Sequence, residues 1–240
     1  TPVETPVSFV AVPRGNIREA VVRRLLKAVM QGGYPAGQRM IVQRLTEQLG
    51  VSATPVREAL VELAAIGIVE NSPNRGAVMR EFGPAQIREI YQLRRLLEVE
   101  AVQCACGRID REALEVLECE FEALTESPRD ELWSRRAMQG DLQLHRLIAS
   151  NCGSVRLQDE IDRYNTLVQV IREVVDNERR AQEIALAEHL EIIRALLADE
   201  AEAAADAMAR HIESTAELGL ETMFPQSDRE QEPNENGEPT

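Results

Sequence analysis

Three histidines and one aspartate in this 240-residue chain have the types and spacing of a metal-binding group. Asp141 and His145 are four residues apart, which places both on one face of a helix. His189 and His211 are 22 residues apart on two successive helical patterns. If these helices form an antiparallel pair that turns near Asp199, the two imidazoles lie at about the same height. Three imidazoles and one carboxylate are typical ligands of a first-row transition metal.

These four residues also lie on the apolar faces of their helices. Asp141 and His145 share a face with Leu144 and Ile148, and His189 is followed by aliphatic residues one and two turns further on. A buried unpaired imidazole or carboxylate costs free energy, and a shared cation removes that cost. The alternative is that each histidine is a separate hydrogen-bonded core residue, but the matched spacing favours a metal. Zinc is the first expectation, and nickel, manganese and iron also suit these ligands.

Six helical patterns between residues 86 and 222 must position the four ligands. Breakers separate them at Gly107, Ser127 and Cys152, and no strand pattern interrupts them. The sequence therefore predicts a mainly α protein whose C-terminal domain is an antiparallel all-α helical bundle. Residues 223–240 contain almost no apolar side chains and are predicted to be disordered.

Residues 14–80 contain three short helical patterns followed by a hairpin pattern. The helices are expected at about residues 17–30, 42–49 and 54–66. The hairpin is expected at about residues 68–79, because Asn, Pro and Gly form its turn. This order of elements predicts an N-terminal winged helix-turn-helix. A flexible arm (1–13) is expected before it and a linker (81–85) after it.

The charge of the chain is divided between these two parts. The net charge is −14, yet residues 1–80 carry ten basic and six acidic side chains, so they hold +4 and the remainder holds −18. The basic part can approach phosphates while the acidic part stays clear of them. No run approaches the ~18 apolar residues of a membrane span, and the N-terminal residues lack the basic region of a signal peptide. We therefore expect a cytoplasmic protein with no membrane partner.

The third helix carries the expected DNA-reading side chains. Val56 and Leu60 face inward, so Thr54 and Arg57 face outward, on the part of the second helix of such a motif that enters the major groove. Arg57 is placed to reach guanine or a phosphate, although an arginine here is alternatively a solvated surface charge. Thr54 with Pro55 is expected to begin the helix, and Ser52 is the alternative cap. The full set of DNA-binding candidates is Arg44, Ser52, Thr54, Arg57, Asn74, Arg75 and Gly76.

Two segments of the chain resemble a known family. The stretch LGVSATPVREAL, together with the Arg-Gly of the wing, resembles the winged-helix domain of the GntR family of bacterial regulators over residues 17–80. Ala53 stands where that family usually has an arginine, so the operator sequence is left open while DNA binding is still expected. The segments GDLQLHRLIASNCGS, AEHLEIIRALLADE and AMARHI resemble the FCD ligand-binding domain of the FadR-type branch over residues 86–220.

This second resemblance implies roles for particular residues. Metal-binding members of the branch use an Asp-x-x-x-His pair and one histidine in each of the last two helices. These positions correspond to Asp141, His145, His189 and His211. In that group an organic-acid carboxylate can replace metal-bound water. The family's arginine corresponds to Arg94, a candidate partner for that carboxylate, which alternatively pairs with Glu98 or lies on the surface. Asn165 matches a recurrent polar position and is a second effector-binding candidate.

Three functions are compatible with these features. The first is a homodimeric repressor of double-stranded operator DNA, controlled by a small carboxylate effector at a metal site. The second is a metalloenzyme, but no general base stands beside the ligands and the winged helix would have no role. The third is a regulator that binds an acyl thioester without metal, against which the three histidines argue. The first function is the prediction, so we expect no enzyme activity.

Overall fold

The structure, a computed structural model, describes residues 17–72, 75–175 and 179–224. Within these ranges the chain forms nine α-helices and one two-stranded antiparallel sheet. The expected mainly α fold, with a winged helix-turn-helix before a helical bundle, is confirmed. The expected arm at residues 1–13 and the tail from residue 225 onwards lie outside the described residues.

The N-terminal domain has three helices and a hairpin. In chain order they are α1 (Ile17–Met30), α2 (Val42–Leu49), α3 (Ala53–Ala65), β1 (Val69–Ser72) and β2 (Gly76–Met79). The strands pair antiparallel, with Val69 opposite Met79 at the base of the wing. Helix α1 packs against α3 through fully buried aliphatic side chains, among them Leu25 and Leu26.

The short turn between α2 and α3 differs from the expectation in one detail. Gly50 ends α2 with a φ of 68°, which a glycine adopts without strain. Helix α3 then begins at Ala53, with Ser52 in the extended conformation of an N-cap residue. The expectation that Thr54 is the N-cap is therefore wrong: the alternative, Ser52, occupies this position, although its side chain makes no capping hydrogen bond. A proline within the first helical turn is tolerated because its missing N–H would have no intrahelical partner there.

The C-terminal domain is the expected all-helical bundle. Its helices are α4 (Pro84–Ala105), α5 (Arg111–Glu126), α6 (Glu131–Asn151), α7 (Val155–Val175), α8 (Arg179–Leu197) and α9 (Ala201–Met223). The linker is shorter than expected, because Pro84 already lies in α4 and the Gln86 side chain accepts a hydrogen bond from the Gly83 N–H at 3.0 Å. The bundle is slightly longer than expected, since Met223 lies in α9 and Phe224 packs against the core.

Helix packing brings α6, α8 and α9 together at the centre of the bundle. Helices α8 and α9 are consecutive and pack closely, and the turn between them contains Asp199 with a left-handed φ of 57°. Helix α4 packs against α6, α7 and α9, so it closes the opposite side. Leu144, Ile193 and Met208 are completely buried around this centre. None of the described helices combines the length and apolar character that a bilayer-spanning helix requires.

Candidate metal centre and DNA-binding surface

Four potential metal ligands meet at the centre of the bundle. Asp141 and His145 come from α6, His189 from α8 and His211 from α9, and all four are buried. One ligand atom from each lies within 4.8 Å of the others. His189 Nε2 is 3.2 Å from His211 Nε2 and 3.0 Å from Asp141 Oδ1. The expected juxtaposition of these residues is confirmed, and we call them the His3Asp cluster.

The electrostatics of the His3Asp cluster favour neutral imidazoles. Burial lowers the pKa of His189 well below its usual value, and the nearby His145 and Arg172 lower it further. Burial likewise lowers the pKa of His211, with His189 as the next contribution. A neutral imidazole offers the lone pair that a metal needs. Both groups are therefore held in their metal-binding form at neutral pH.

One buried imidazole nitrogen of the His3Asp cluster indicates that a cation fits there. His145 Nε2 is buried and has no hydrogen-bond partner among the described residues. It lies 3.6 Å from Asp141 Oδ1, beyond hydrogen-bond distance. A buried acceptor left in this way costs free energy that a cation would recover. The donor set, one carboxylate and three imidazoles, therefore fits a divalent transition metal.

Two glutamates lie behind the histidines, and sequence reasoning did not assign them to the site. Glu98 of α4 accepts a hydrogen bond from His145 Nδ1, and Glu188 of α8 accepts one from His211 Nδ1 at 2.9 Å. A carboxylate behind a ligating histidine fixes its tautomer and orientation, leaving Nε2 for the metal. The sequence offered one signal for each glutamate. Glu98 lies one helical turn after Arg94 on α4, and Glu188 directly precedes His189 on α8.

The two glutamates differ in their protonation. Burial raises the pKa of Glu98, but Arg94 and His145 outweigh burial and hold this pKa well below its usual range. Burial raises the pKa of Glu188 to about 7, and the nearby Glu191 adds to the rise. Glu98 is therefore ionised at neutral pH and accepts hydrogen bonds only, so Nδ1 of His145 must carry a proton.

Arg172 of α7 is a third residue that the sequence did not single out. Its guanidinium contacts Asp141 Oδ2, while Asp141 Oδ1 faces His189. Arg172 also lines a cavity of about 70 Å³ that opens beside the His3Asp cluster. The other walls of this cavity are mainly apolar and include Phe121, Ala137, Met138, Ala185, Leu186 and Leu218. A small ligand in this cavity would contact the cluster with one end and apolar side chains with the other.

The two effector-binding candidates occupy different places. Arg94 is buried, with 4% of its surface exposed, and its Nε donates to Glu98 at 2.8 Å. Its Nη1 has no hydrogen-bond partner in the described part of the chain. The alternative of a surface arginine is therefore wrong, and the alternative pairing with Glu98 is observed.

Asn165 is placed away from the His3Asp cluster. Its side-chain amide donates to Asp162 at 2.8 Å. It lines the interdomain cleft, which we define as the space between α3 and the pair formed by α6 and α7. The cavity beside the cluster has other walls. Neither Asn165 nor Arg94 lines that cavity, so the assignment of these two residues to an effector stays a prediction from the sequence.

The DNA-binding candidates lie on the surface of the N-terminal domain. Ser52, Thr54 and Arg57 are exposed at the beginning of α3, and Arg44 is exposed on α2. Arg75 and Gly76 are exposed at the wing, whereas Asn74 lies outside the described residues.

Arg39 was missed by sequence reasoning and supports the wing. Its Nε donates to the carbonyl oxygen of Arg75 at 2.9 Å, and its backbone forms an isolated bridge with Val78. The wing is thus tied to the segment before α2, which positions Arg75 beside the helix-turn-helix.

Two family models match the chain. "Bacterial regulatory proteins, gntR family" matches residues 17–79, and "FCD domain" matches residues 89–214. The second match alone covers more than half of the chain. The resemblance drawn from the motifs is therefore confirmed.

Curated relatives carry matching names. YdhC of Bacillus subtilis, named as an uncharacterized HTH-type transcriptional regulator, is 24% identical over 169 residues, which are 70% of this chain and 75% of YdhC. The HTH-type transcriptional regulator McbR of Escherichia coli is 35% identical over 96 residues, which are 40% of this chain and 43% of McbR. These names describe regulators rather than enzymes.

Solved structures share the fold. E. coli McbR/YncC aligns with a TM-score of 0.62 and 21% identity over 85% of this chain and 97% of that chain. The metal-free FCD domain of TM0439 aligns with a TM-score of 0.52 and 18% identity over 60% of this chain and 99% of that chain. The chain thus belongs to the bacterial gntR family, in the branch with a C-terminal FCD domain, and is a DNA-binding transcription regulator.

Proposed function

We propose that this regulator binds double-stranded operator DNA as a homodimer and represses transcription until a small carboxylate binds at a metal in the helical domain. The observation that carries this proposal is the His3Asp cluster, in which four buried ligand atoms lie within 4.8 Å beside a cavity. A homodimer is proposed because one winged helix reads only a few base pairs and a two-fold symmetric dimer doubles that footprint.

The metal would be held by Asp141, His145, His189 and His211. A divalent cation held by these residues would offer a coordination position to a carboxylate oxygen of the effector. Glu98 and Glu188 orient the imidazoles of His145 and His211 from behind. Zinc is the first candidate, because the N3O donor set without a redox requirement suits it well.

The cavity indicates the size of the effector. The cavity has a volume of about 70 Å³, which is small compared with the pockets of about 300–1,000 Å³ that hold drug-sized ligands. This supports a small monocarboxylate with a short apolar part. It argues against the alternative of an acyl thioester, whose carrier group is many times larger.

Charged residues near the cluster support an anionic ligand. Arg172 lines the cavity directly, and Arg94 Nη1 is buried without a hydrogen-bond partner within the described ranges. An arginine pairs with a carboxylate through two parallel hydrogen bonds, which is stronger than a neutral contact. We propose that Arg172 receives the effector carboxylate and that Arg94 supports the cluster through Glu98.

DNA binding is proposed to use the exposed residues of α3 and the wing. Arg57 would read base edges in the major groove, with Ser52, Thr54 and Arg44 on nearby phosphates. Arg75 and Gly76 would contact the backbone or the minor groove. Asn74 is retained as a candidate from the sequence alone.

The test combines metal analysis with ligand binding. Purified protein should hold one metal per subunit after reconstitution, and the double variant His189→Ala/His211→Ala should hold none. A thermal-shift series of straight-chain monocarboxylates, with and without EDTA, should raise Tm only when metal is present, since a ligand that binds the native state stabilises it. The proposal is contradicted if the purified protein never holds stoichiometric metal, or if monocarboxylates raise Tm by the same amount with and without EDTA.

A further inference from the structure

A cluster of charged residues joins the two domains close to the metal centre. Glu173 of α7 forms ion pairs with Arg23 and Lys27 of α1. Arg23 also donates through Nη2 to the Gln169 side chain at 2.6 Å. Helix α1 belongs to the winged helix and α7 to the bundle, and the two pack together. We call Arg23, Lys27, Gln169 and Glu173 the Glu173 clamp.

The residue before Glu173 belongs to the metal centre. Arg172 contacts Asp141, which is one of the four candidate ligands, and lines the cavity beside the cluster. Successive residues of a helix point about 100° apart, so Arg172 reaches the cluster while Glu173 reaches α1. One turn of α7 thus connects the His3Asp cluster, through Arg172, with α1, through Glu173.

Metal and effector would act on Arg172 in opposite directions. A cation held by Asp141 would neutralise much of the carboxylate charge and repel the guanidinium, which would weaken the contact between Asp141 and Arg172. A carboxylate that then enters the cavity offers the guanidinium a new partner. The partner of Arg172 therefore depends on what the His3Asp cluster holds.

One side of α3 faces the bundle across the interdomain cleft. Arg57 and Val61 line the interdomain cleft, whose opposite wall contains Arg146 and Leu147 of α6. This cleft is open to solvent and has a volume of about 1600 Å³. A recognition helix must enter a groove about 12 Å wide and 8.5 Å deep, with the body of the duplex beyond it. For a duplex to occupy the side of α3 that faces this cleft, the winged helix would have to move away from α6 and α7, which would separate Glu173 from α1.

We propose that Arg172 and Glu173 are a positioning pair that transmits the state of the metal centre to the DNA-binding domain. The inference rests on the proposed control by metal and carboxylate. Metal alone loosens the clamp and raises DNA affinity, whereas a bound carboxylate draws Arg172 back and restores the clamp. A ligand shifts a conformational equilibrium only through such a difference in its contacts.

The experiment measures the affinity of full-length protein for a duplex selected by the wild type from a random library, with Zn²⁺ and with EDTA. In the wild type, Zn²⁺ should raise affinity at least about 5-fold, the lower end of typical coupling between sites. In Glu173→Gln, affinity should be high under both conditions, with a ratio within about twofold of one. Glu160→Gln is the matched control, because Glu160 also lies on α7 but pairs with Arg163 of the same helix.

A second variant and a second measurement address the other side of the clamp. Arg23→Gln/Lys27→Gln should lose the Zn²⁺ dependence in the same way, even if lost phosphate contacts lower its affinity overall. Amide hydrogen exchange of residues 17–30, which needs no DNA, should quicken with Zn²⁺ in the wild type and not respond in Glu173→Gln. If Glu173 contributed to stability alone, Glu173→Gln would still respond to Zn²⁺ in DNA affinity and in amide exchange.

The outcomes separate the two proposals. If Zn²⁺ and carboxylates leave wild-type affinity unchanged, the proposed control by metal fails, and this inference fails with it. If the wild type responds but Glu173→Gln keeps the full response, the inference is overturned and the proposed function stands. A loss of response in Glu160→Gln equal to that in Glu173→Gln would also overturn it.

Discussion

Replacing Glu98 with glutamine should weaken both the fold and the metal centre. Glu98 accepts hydrogen bonds from Arg94 Nε at 2.8 Å and from His145 Nδ1. The side chains of Arg94 and Glu98 are only 5% and 6% exposed, so their ion pair is buried. Removing one partner of a buried ion pair costs about 3–5 kcal/mol, because the remaining charge is left uncompensated. Glutamine keeps one carbonyl oxygen for Arg94, so we expect about 3 kcal/mol, the lower end of that range.

The same substitution should lower metal affinity. The glutamine amide no longer accepts a charge-assisted hydrogen bond from His145 Nδ1, so the imidazole loses the group that fixes its tautomer. Changes in such supporting residues typically cost 10–100-fold in metal affinity. A loss of 3 kcal/mol corresponds to a fall in Tm of about 6–12 °C for a chain of this size.

The assay is calorimetric Zn²⁺ titration together with thermal unfolding in EDTA. Glu100→Gln is the control, since Glu100 lies exposed on the same helix α4 and accepts a hydrogen bond from Cys104 rather than from the site. The reasoning is refuted if Glu98→Gln binds Zn²⁺ within threefold of the wild type, or if its Tm in EDTA equals that of Glu100→Gln.

Four further predictions follow from the site and the core. The double variant His189→Ala/His211→Ala should retain no stoichiometric metal by elemental analysis, while an intact metal content would contradict the cluster assignment. Zn²⁺ at 1,000 times its Kd should stabilise the wild type by about 4 kcal/mol over the protein in EDTA, which chemical unfolding measures. Arg57→Ala should weaken binding of the selected duplex by about 1–3 kcal/mol in a gel-shift titration, and wild-type affinity would show that Arg57 does not read DNA. Phe121→Ala should lower the free energy of unfolding by about 3–5 kcal/mol, measured by urea unfolding in EDTA, because Phe121 is buried and its ring meets the His189 ring edge-on with the ring centres 5.4 Å apart.

The secondary structure was largely predictable because strong local signals mark the helix ends. Gly50, Gly107 and Gly153 all adopt positive φ at the breaks between helices, where the sequence indicated interruptions. The cap of α3 was predicted wrongly, since Ser52 and Thr54 are both good capping residues. Only the surrounding turn decides which of them adopts the extended conformation.

The four residues of the His3Asp cluster could be predicted from their spacing in the sequence, but the residues that surround the cluster could not. Two consecutive antiparallel helices of similar length fix the relative height of His189 and His211 from sequence distance alone. Contacts such as that between Glu98 and His145 join helices far apart in the sequence, and they depend on how each helix is rotated about its axis. Asn165 illustrates the same limit, because it lies two turns, about 10 Å, from Arg172 on α7.

The positions of the four ligands along the chain bear on how long the regulator survives in the cell. Asp141 and His211 are 70 residues apart in the sequence, so a cation shared by the cluster would cross-link three helices across a long loop, as a disulfide does. Such a cross-link must open before α9 can peel away from α6, so it slows the local unfolding that proteases exploit. Without the metal the bundle would lack this cross-link, and the protein would be a better substrate for degradation. The supply of the metal would then set the number of regulator molecules as well as their activity.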